Sequence, residues 1–559
     1  MFDVRVPFST RSAFFFALLF QVGCSSTPDE VVATLEYPFM FEKVAIGTAA
    51  DSIRHHNGSS GQKWFPETMS GGAAFADIDS DGDLDVLFVE GGALNADVTS
   101  SKGSIGVLLN NGEGVFSRAH VEGLSDLPGY GMGIYPADLD NDGDFDILYT
   151  TLGQNSVLIN NEGSFTSTQN DLFEKRISEW STAAVIFDAD QDGWLDLLIG
   201  NYVDWTVEKD LYCTTDGMRK GYCTPELYQG TPAVFYRNTG KGTFVDVTAG
   251  SGFEKMSGKT LGLAMSDVDS DGQVDIFVAN DTDPDQLLVA INGTYEDRGI
   301  ASGLAFDERG RARAGMGIDT GISDETGKTT LFVGNFSDEM MGVYRQIGPL
   351  SFLDRAASSG IGHPSTLTLT FGLTVTDFNL DGNQDVFAAN GHVEQSIETI
   401  RDNVRYAEYP HLFSSDGKGR FEDVASSVGA FGAMVGRAAV VGDIDMDGDP
   451  DLMVLENNAS LHVFKNTSTH SGIRVQLKGT ASNAQGIGTR VELWQAGSRQ
   501  ERMIKTGSSY LSGSDVAAFF GLGATATADS LVLHWPSGTI QVVNNVKSGN
   551  LIVEESAQW

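Results

Sequence analysis

One nine-residue pattern recurs six times in this chain and constrains its fold more than any other feature. The pattern is Asp-x-Asp/Asn-x-Asp-Gly-x-x-Asp in a chain of 559 residues. Asp and Glu account for only 76 of those residues, so chance does not explain six matches, and the copies indicate internal repeats. They lie at residues 77–85, 138–146, 188–196, 267–275, 377–385 and 443–451.

The spacing of the pattern suits a calcium ion, which takes about six to eight hard oxygen ligands. Carboxylates at positions 1, 3 and 5 can turn inward when the chain curls, and glycine at position 6 permits the turn. Position 7 offers its carbonyl oxygen, and Asp at position 9 closes the cage. Asp-Gly hairpin turns without metal are the alternative, but they do not need acids at all of these positions. The sequence predicts about six Ca²⁺ sites.

The predicted ligands are the residues at positions 1, 3, 5, 7 and 9 of each copy. In the first three copies they are Asp77, Asp79, Asp81, Asp83, Asp85, Asp138, Asp140, Asp142, Asp144, Asp146, Asp188, Asp190, Asp192, Trp194 and Asp196. In the last three they are Asp267, Asp269, Asp271, Gln273, Asp275, Asp377, Asn379, Asp381, Asn383, Asp385, Asp443, Asp445, Asp447, Asp449 and Asp451.

Each acidic loop is flanked by the same kinds of segment. A glycine-punctuated apolar run precedes it, as at 72–76, and a β-rich run follows, as at 86–89. A turn then leads into a strand with an aromatic residue, most clearly within 235–248. Four short strands per unit, separated by turn residues, are typical of propeller blades. The sequence therefore predicts an all-β chain built around a β-propeller.

A seventh unit keeps this strand pattern but not the full acidic pattern. Residues 315–318 resemble the run before the loop at 138–146, and residues 331–333 resemble the strands that follow the loops. Between them, residues 323–330 end in Thr330 where the other copies have Asp. We expect this unit to keep its fold without an ion, which predicts a seven-bladed propeller.

The order of the repeats predicts how the ring closes. Aromatic residues of the outer strands alternate with the seven loops, starting at Phe41 and ending at Phe421. The series begins with a strand and ends with a loop, so the last blade, from about 443 to 464, lacks its outer strand. We expect residues 40–46 to supply it.

The C-terminal residues contain no acidic loops. Alternating apolar residues at 473–477, 490–494 and 531–535 predict a small β-sandwich. Trp494 and Trp535 could present sugar-stacking faces or pack in its core. The predicted organisation is a signal peptide at 1–24, a linker at 25–37, a propeller at 38–469 and a C-terminal β domain at 470–559.

The N-terminus has the parts of an export signal. Arg5 and Arg11 come before an apolar run at 13–20 that is too short to span a bilayer. Gly23-Cys24 and the polar residues after it resemble a bacterial lipobox, which predicts lipidation of Cys24. An ordinary cleaved signal peptide is the alternative.

The remaining cysteines and the net charge bear on compartment and partners. In an exported chain, Cys213 and Cys223, ten residues apart, favour a local disulfide. The formal net charge of −40 argues against nucleic acid and against direct binding to anionic membranes, apart from an anchor on Cys24. The six loops alone hold 26 of the 76 acidic residues, so the charge reflects the predicted metal cages.

Several motifs together resemble a known family. The acidic loops resemble the FG-GAP/VCBS repeats of integrin α-subunit propellers, and residues 486–491, 507–515, 520–523 and 535–538 resemble the UnbV/ASPIC domain. Residues 66–69 and 390–394 match the propeller portion of the same proteins. From about 38 to 556 the chain is similar to the cartilage acidic protein family and its bacterial relatives. The resemblance implies an extracellular, calcium-binding, non-enzymatic adhesion or matrix protein.

The sequence shows no catalytic motif of the metalloprotease, serine-hydrolase, P-loop or dinucleotide-binding type. Glu67, His392 and Arg437 could line the channel mouth, or they could make structural hydrogen bonds. We expect a binding or adhesion module for glycan or protein, either a lipoprotein of the bacterial cell surface or outer membrane, or a periplasmic or secreted protein. An exported enzyme acting on polysaccharide through those three residues is the alternative.

Overall fold

Seven antiparallel four-stranded sheets make up most of the chain. The computed structural model describes residues 40–46, 53–95, 97–168, 170–176, 179–214, 217–307 and 309–556, all within one compact unit, Pro38–Trp559. We number the sheets as blades 1 to 7 in chain order and call the first strand of each blade its inner strand. The acidic loop after each inner strand takes the number of its blade, so that 377–385 is loop 6 and 443–451 is loop 7.

Blades 1 to 6 are meanders whose strands pair in chain order, and blade 7 takes its fourth strand from the N-terminal part of the chain. Blade 1 has an additional short strand, Leu127–Pro128, which pairs with its third strand. The strands of blades 1 and 2 are Ala73–Ala76, Asp85–Ala93, Lys102–Leu109 and Ser117–Ala119, then Tyr130–Ala137, Asp146–Leu152, Ser156–Asn161 and Ser164–Thr168. Those of blades 3 and 4 are Ser181–Phe187, Asp196–Asn201, Val234–Asn238 and Phe244–Asp246, then Thr260–Ser266, Asp275–Asn280, Gln286–Ile291 and Thr294–Asp297.

Blade 5 has all four strands although its loop departs from the acidic pattern, as the sequence predicted. The strands of blades 5 and 6 are Ile318–Ile322, Thr329–Val333, Gly342–Gly348 and Ser351–Asp354, then Thr370–Thr376, Asp385–Asn390, His411–Ser415 and Phe421–Asp423. Those of blade 7 are Gly436–Gly442, Asp451–Glu456, Leu461–Asn466 and the N-terminal strand Phe41–Lys43.

The seven inner strands surround a central channel. Each packs against the inner strand of the next blade, and that of blade 7 packs against those of blades 6 and 1. They are buried along almost their whole length because blades cover them on both sides. The chain therefore contains the seven-bladed propeller that the repeats predicted.

The N-terminal strand closes the ring. Phe41–Lys43 pairs antiparallel with the third strand of blade 7, with Phe41 opposite Asn466. The Phe41 ring is buried, with its centroid 5.6 Å from that of Phe378 and 5.5 Å from that of Phe431. The predicted pairing of residues 40–46 with the last blade is confirmed.

The C-terminal β domain consists of two sheets that share one core. The strands of the first, in spatial order, are Ala518–Gly523, Ser471–Lys478 and Gly549–Glu554. Those of the second are Ser498–Met503, Arg490–Gln495, Thr527–His534 and Ile540–Lys547. Trp535 is buried in the core, so it offers no sugar-stacking face, whereas Trp494 is 38% exposed.

Helices are short and lie in the connections between strands. The α-helices are Asn170–Phe173, Gly299–Ser302, Ala356–Ser359, Gly362–Ser365, Ile397–Ile400 and Ala425–Val428. The 3-10 helices are Phe65–Thr68, Val98–Ser100, Glu174–Arg176, Val207–Lys209, Pro225–Leu227 and Phe253–Lys255. Across the described ranges, none of the helices has the length and apolar character needed to cross a bilayer. The predicted signal peptide and Cys24 lie outside the described residues.

A segment of the C-terminal domain, residues 505–515, fills the propeller channel, and we call it the plug. Its backbone bonds the inner strands: Ser509 and Ile318 exchange N–H···O bonds of 2.7 and 3.1 Å, and so do Gly513 and the strand Ala73–Ala76, both at 3.1 Å. Because an inner strand has no neighbour on its channel side, these bonds satisfy backbone groups that would otherwise be buried without partners.

The plug contacts the inner strand of every blade. Side chains add to the backbone bonds, and the hydroxyl of Ser509 accepts the N–H groups of both Leu373 and Ala439. Gly507 has φ +68°, and a Cβ there would lie 2.0 Å from Cγ1 of Val185, so only glycine fits. The inner-strand partners of the plug in blades 1 to 7 are Ala73, Ile134, Ile186, Met265, Ile318, Leu373 and Val441.

The closing strand yields a stability prediction. Replacing Phe41 with alanine removes a ring that is only 7% exposed, and we expect the free energy of unfolding to fall by about 3 kcal/mol. Met40→Ala is the matched control, since Met40 is the adjacent residue and 55% exposed. Denaturant midpoints of both variants provide the measurement. Equal midpoints would contradict the structural role of the strand.

Candidate metal centres

All six acidic loops have the same backbone curl. The residue at position 4 has a φ between +57° and +63° in every loop, and the glycine at position 6 has a φ between +84° and +102°. Side chains other than glycine rarely adopt such angles, so the repetition marks one specific loop conformation. The position-4 residues are Ser80, Asn141, Gln191, Ser270, Leu380 and Met446.

Two carboxylates hold this curl through backbone N–H groups, as loop 1 illustrates. Asp77 accepts the N–H groups of Asp81 and Gly82 at 3.1 and 3.0 Å. Asp85 accepts the N–H of Ile78 at 3.1 Å and that of Asn110 at 2.9 Å. The same bonds to positions 1 and 9 recur in the other five loops.

The curl brings carboxylates together at one point. In five loops, carboxylate oxygens of three aspartates lie within 4.8 Å of one another. Asn379 replaces the second aspartate of loop 6, and within the described ranges that loop forms no such group. The five groups are Asp77, Asp79 and Asp85; Asp138, Asp140 and Asp146; Asp188, Asp190 and Asp192; Asp267, Asp269 and Asp271; and Asp443, Asp445 and Asp451.

Some of these oxygens lack a hydrogen-bond donor although they are buried. Among the described residues, the Oδ1 atoms of Asp140, Asp269 and Asp445 at position 3 have no hydrogen-bond partner, and neither do those of Asp83 and Asp449 at position 7. A buried carboxylate oxygen without a partner is costly, and a cation would satisfy it. Clustered hard oxygen donors of this kind fit Ca²⁺.

Burial and mutual repulsion raise the pKa of the position-9 carboxyls. Burial raises the pKa of Asp85 to about 7, and the nearby charges of Asp79 and Asp83 contribute to the rise. Burial likewise raises the pKa of Asp146 to about 8, with smaller contributions from Asp140 and Asp138. Negative charge at these points is therefore unfavourable unless a cation offsets it.

Protein cations approach the position-3 aspartate in three blades. In blades 3 and 7, Arg237 lies 3.1 Å from Asp190, and Lys465 pairs with Asp445. In blade 5 the position-3 acid of the degenerate loop is Asp324, and the guanidinium of Arg345 pairs with it. The loop of blade 5 thus retains an acid at position 3 and neutralises it with an arginine from the third strand.

The loops are also tied to one another by asparagines that were not among the predicted site residues. The Asn110 amide of blade 1 donates to the carbonyl of Ile444 in loop 7 at 2.7 Å, which links the first and last blades. The same residue also donates to Leu84 in its own blade at 3.1 Å. In the sequence, these residues could have been found from the Asn that recurs at the end of the third strand of several blades. The equivalent residues are Asn110, Asn160, Asn238 and Asn466.

The three channel-mouth candidates lie at the opposite end of the channel from the acidic loops, and all three are buried. Arg437 donates to the carbonyls of Thr68 and Gly391 at 2.8 and 3.0 Å, and its guanidinium lies 4.0 Å from the Phe371 ring centroid. His392 Nδ1 accepts the N–H of Glu394 at 3.0 Å. Burial, with the charge of Arg437, lowers the pKa of His392 to about 4, so the ring is neutral at pH 7.

Glu67 joins loops from different parts of the chain. Its carboxylate accepts the hydroxyl of Tyr222 at 3.0 Å and those of Ser59 and Ser60 at 3.4 Å. From inside the channel, the Tyr510 hydroxyl of the plug donates to the Met69 carbonyl at 2.7 Å. The bonds of these residues are the structural hydrogen bonds that the sequence left open as an alternative.

The two loop cysteines form a disulfide, as the sequence predicted. Cys213 and Cys223 are bonded with their Cα atoms 5.2 Å apart. They lie in a long connection between Asn201 and Val234, the second and third strands of blade 3. We call residues 204–228 of this connection the stapled loop. A disulfide is consistent with export.

Two family models match the chain. The ASPIC and UnbV model matches residues 479–558, and the FG-GAP-like repeat model matches residues 94–149 and 377–454. Human cartilage acidic protein 1 is 24% identical over 520 residues, covering 87% of this chain and 71% of its own. The chain is homologous to cartilage acidic protein 1. The Xenopus tropicalis protein of that name is 25% identical over 502 residues, covering 85% of this chain and 71% of its own.

Solved structures with similar architecture have low sequence identity. An Agrocybe aegerita lectin that recognises non-reducing terminal N-acetylglucosamine has a TM-score of 0.41 and 17% identity, covering 70% of this chain and 86% of its own. The N-terminal domain of Nup159 has a TM-score of 0.37 and 11% identity, covering 77% of this chain and 96% of its own. The repeats and the ASPIC and UnbV domain indicate an extracellular protein of β-propeller type.

The raised carboxyl pKa values predict how pH acts on metal-free protein. A carboxyl with a pKa near 7 in the folded state and about 3.9 when unfolded binds a proton on folding. Its contribution to stability is present at low pH and is lost as pH rises through the folded pKa. We expect metal-free protein to melt at a higher temperature at about pH 5 than at about pH 8.

Saturating calcium should remove or reverse this order, because the ion stabilises the ionised carboxylates. Buried His55, whose pKa burial lowers to about 3, works in the opposite direction, but it is outnumbered by the loop carboxyls. Differential scanning fluorimetry at both pH values, with and without calcium, provides the measurement. A metal-free melting temperature that rises with pH would contradict the prediction.

Proposed function

We propose that the protein is an exported calcium-binding propeller that docks a protein partner at the cell surface. The acidic loops would hold the ions and stiffen one end of the propeller, and the stapled loop at the other end would contact the partner. A lipid on Cys24 would retain the mature chain at the membrane. The observation that carries the calcium assignment is the common curl of six loops, which groups three carboxylates in five of them and leaves buried carboxylate oxygens without a described donor in four.

Calcium fits these loops by ligand type and by local charge. The donors are carboxylate and carbonyl oxygens, which hard divalent cations prefer. The ion would supply the positive charge that the clustered aspartates lack, and it would stabilise the folded state by mass action. Six loops have the required curl. In blade 5, Arg345 of the third strand provides a positive charge beside Asp324.

Metal analysis tests this assignment. After equilibration in millimolar calcium, we expect about six bound ions per chain and a melting temperature that falls by about 10 °C or more on chelation. Two adjacent residues of loop 7 form a matched pair, Asp447 at position 5 and the exposed Met446 at position 4. Asp447→Asn should remove one ion and Met446→Ala should remove none. Finding no bound calcium would overturn the proposal.

The stapled loop supports a binding role because it exposes apolar side chains on a cross-linked frame. Tyr212 is 69% exposed and Met218 77% exposed, and Leu211 and Leu227 are also exposed. The Tyr212 hydroxyl donates to the Met218 carbonyl at 3.0 Å, which holds the two residues together. Pre-organisation of this kind lowers the entropic cost of association. Three of the four side chains are not aromatic, which favours a protein over a glycan.

A substitution pair tests the docking surface. The double variant Tyr212→Ser/Met218→Ser should weaken binding to a cell-surface protein fraction by about tenfold or more. Ile300→Ser is the control, since Ile300 is 74% exposed in blade 4. Photo-cross-linking from position 218 should identify the same protein that the double variant fails to bind. The docking proposal would be overturned if the double variant bound the protein fraction as well as the parent chain does. It would also be overturned if the parent chain bound only to a glycan array.

A further inference from the structure

Loop 6 accepts hydrogen bonds from the C-terminal β domain. The Oδ2 atom of Asp377, the position-1 residue, accepts the N–H of Gly521 at 3.1 Å. The carbonyl of Leu380, at position 4, accepts the N–H of Gly523 at 2.8 Å. Both donors belong to the strand Ala518–Gly523, so the curl of loop 6 positions this strand.

Loop 7 contacts the same domain through its backbone. A Cβ on Gly448, the position-6 glycine, would lie 2.9 Å from the Cα of Gly549. A Cβ on Gly472 would lie 2.5 Å from the carbonyl oxygen of Gly448. The turn at Gly448 therefore lies too close to Gly549 and Gly472 of the C-terminal domain for any side chain to fit between them. This close approach depends on the conformation of loop 7 at its sharpest turn.

The strands that touch these loops connect directly to the plug. The strand Ala518–Gly523 begins three residues after Asp515, the last residue of the plug. Asp515 receives two bonds from Arg474, of 2.6 and 2.8 Å, and its N–H donates to the Val441 carbonyl at 2.9 Å. Arg474 lies on the strand that includes Gly472. A shift of loops 6 and 7 would therefore be transmitted to one end of the plug.

The charge of loop 6 makes its curl depend on a cation. Asp377 and Asp385 are fully buried, and Asp381 lies on the same curl. The half-buried guanidinium of Arg502 attracts these carboxylates, but it donates to the carbonyls of Phe519 and Glu501, and one positive charge does not offset three carboxylates. Without a further cation, repulsion favours opening of the loop, and opening would withdraw the acceptors of Gly521 and Gly523.

We infer that calcium in loops 6 and 7 latches the C-terminal β domain onto the propeller, so that retention of the plug in the channel depends on calcium. This inference rests on the proposed calcium binding. Loop 1 provides the contrast, since among the described residues it makes no hydrogen bond or ion pair with the C-terminal domain and is linked to it only by the attraction between Asp77 and Arg474. An ion in loop 1 stiffens its blade, whereas ions in loops 6 and 7 also control the plug.

Hydrogen exchange of the full exported chain tests the latch. Removal of calcium by chelation should make amides of residues 505–515 exchange about tenfold faster or more. The strand Asp275–Asn280 of blade 4 serves as an internal reference and should keep its protection. Plug amides that are equally protected with and without calcium would overturn the latch. Metal analysis of the same samples separates the two claims, because absence of bound calcium would overturn the proposed function instead.

Two matched substitutions keep the test decisive if chelation unfolds the whole chain. Asp381→Asn and Asp81→Asn make the same change at position 5 of loops 6 and 1, and both are measured in saturating calcium. Each should lower the calcium content by one ion per chain. Only Asp381→Asn should accelerate exchange of the plug by about tenfold, while Asp81→Asn leaves it protected. Equal exchange of the plug in the two variants would overturn the latch.

Discussion

Mutual repulsion of aspartates at one end of the propeller channel is the constraint on which the rest of the structure depends. Each acidic loop places several carboxylates on one tight curl, and two of them hold that curl by accepting backbone N–H groups. Others leave buried oxygens without donors. The calcium that we propose would offset this charge and hold the loops closed. In each of these six blades the second strand begins at position 9 of the loop, so the loop conformation sets where that strand starts.

The channel imposes a second requirement, which the plug satisfies. Seven inner strands turn their unpaired edges toward one axis, and buried backbone groups need partners. The plug supplies partners for backbone groups in six blades, with Ser509 alone bonding blades 5, 6 and 7, and in blade 4 the Thr506 hydroxyl donates to the Met265 sulfur. The ASPIC and UnbV domain is thus an integral part of the propeller core. At the far end of the channel, Arg437 and Tyr510 donate to the adjacent carbonyls of Thr68 and Met69, and both are buried.

Local patterns predicted the fold well because each blade repeats the same short-range signals. The strand periodicity, the Asp-Gly curl, the closing strand at Phe41 and the departure of blade 5 from the acidic pattern all follow from neighbouring residues. The Cys213–Cys223 bond was predictable for the same reason, since its partners are ten residues apart. The spacing of the acidic residues predicts the metal ligands of each loop, and that assignment stays a prediction.

The sequence by itself therefore determined the repeat unit, the number of blades and the carboxylates that each loop presents. Only the tertiary structure decided what lies between the blades and inside the channel. Asn110 bonds a loop 334 residues away along the chain, and Gly507 and Ser509 are within reach of strands from both halves of the propeller. Such contacts leave no local periodicity, because their partners are brought together only when the ring closes.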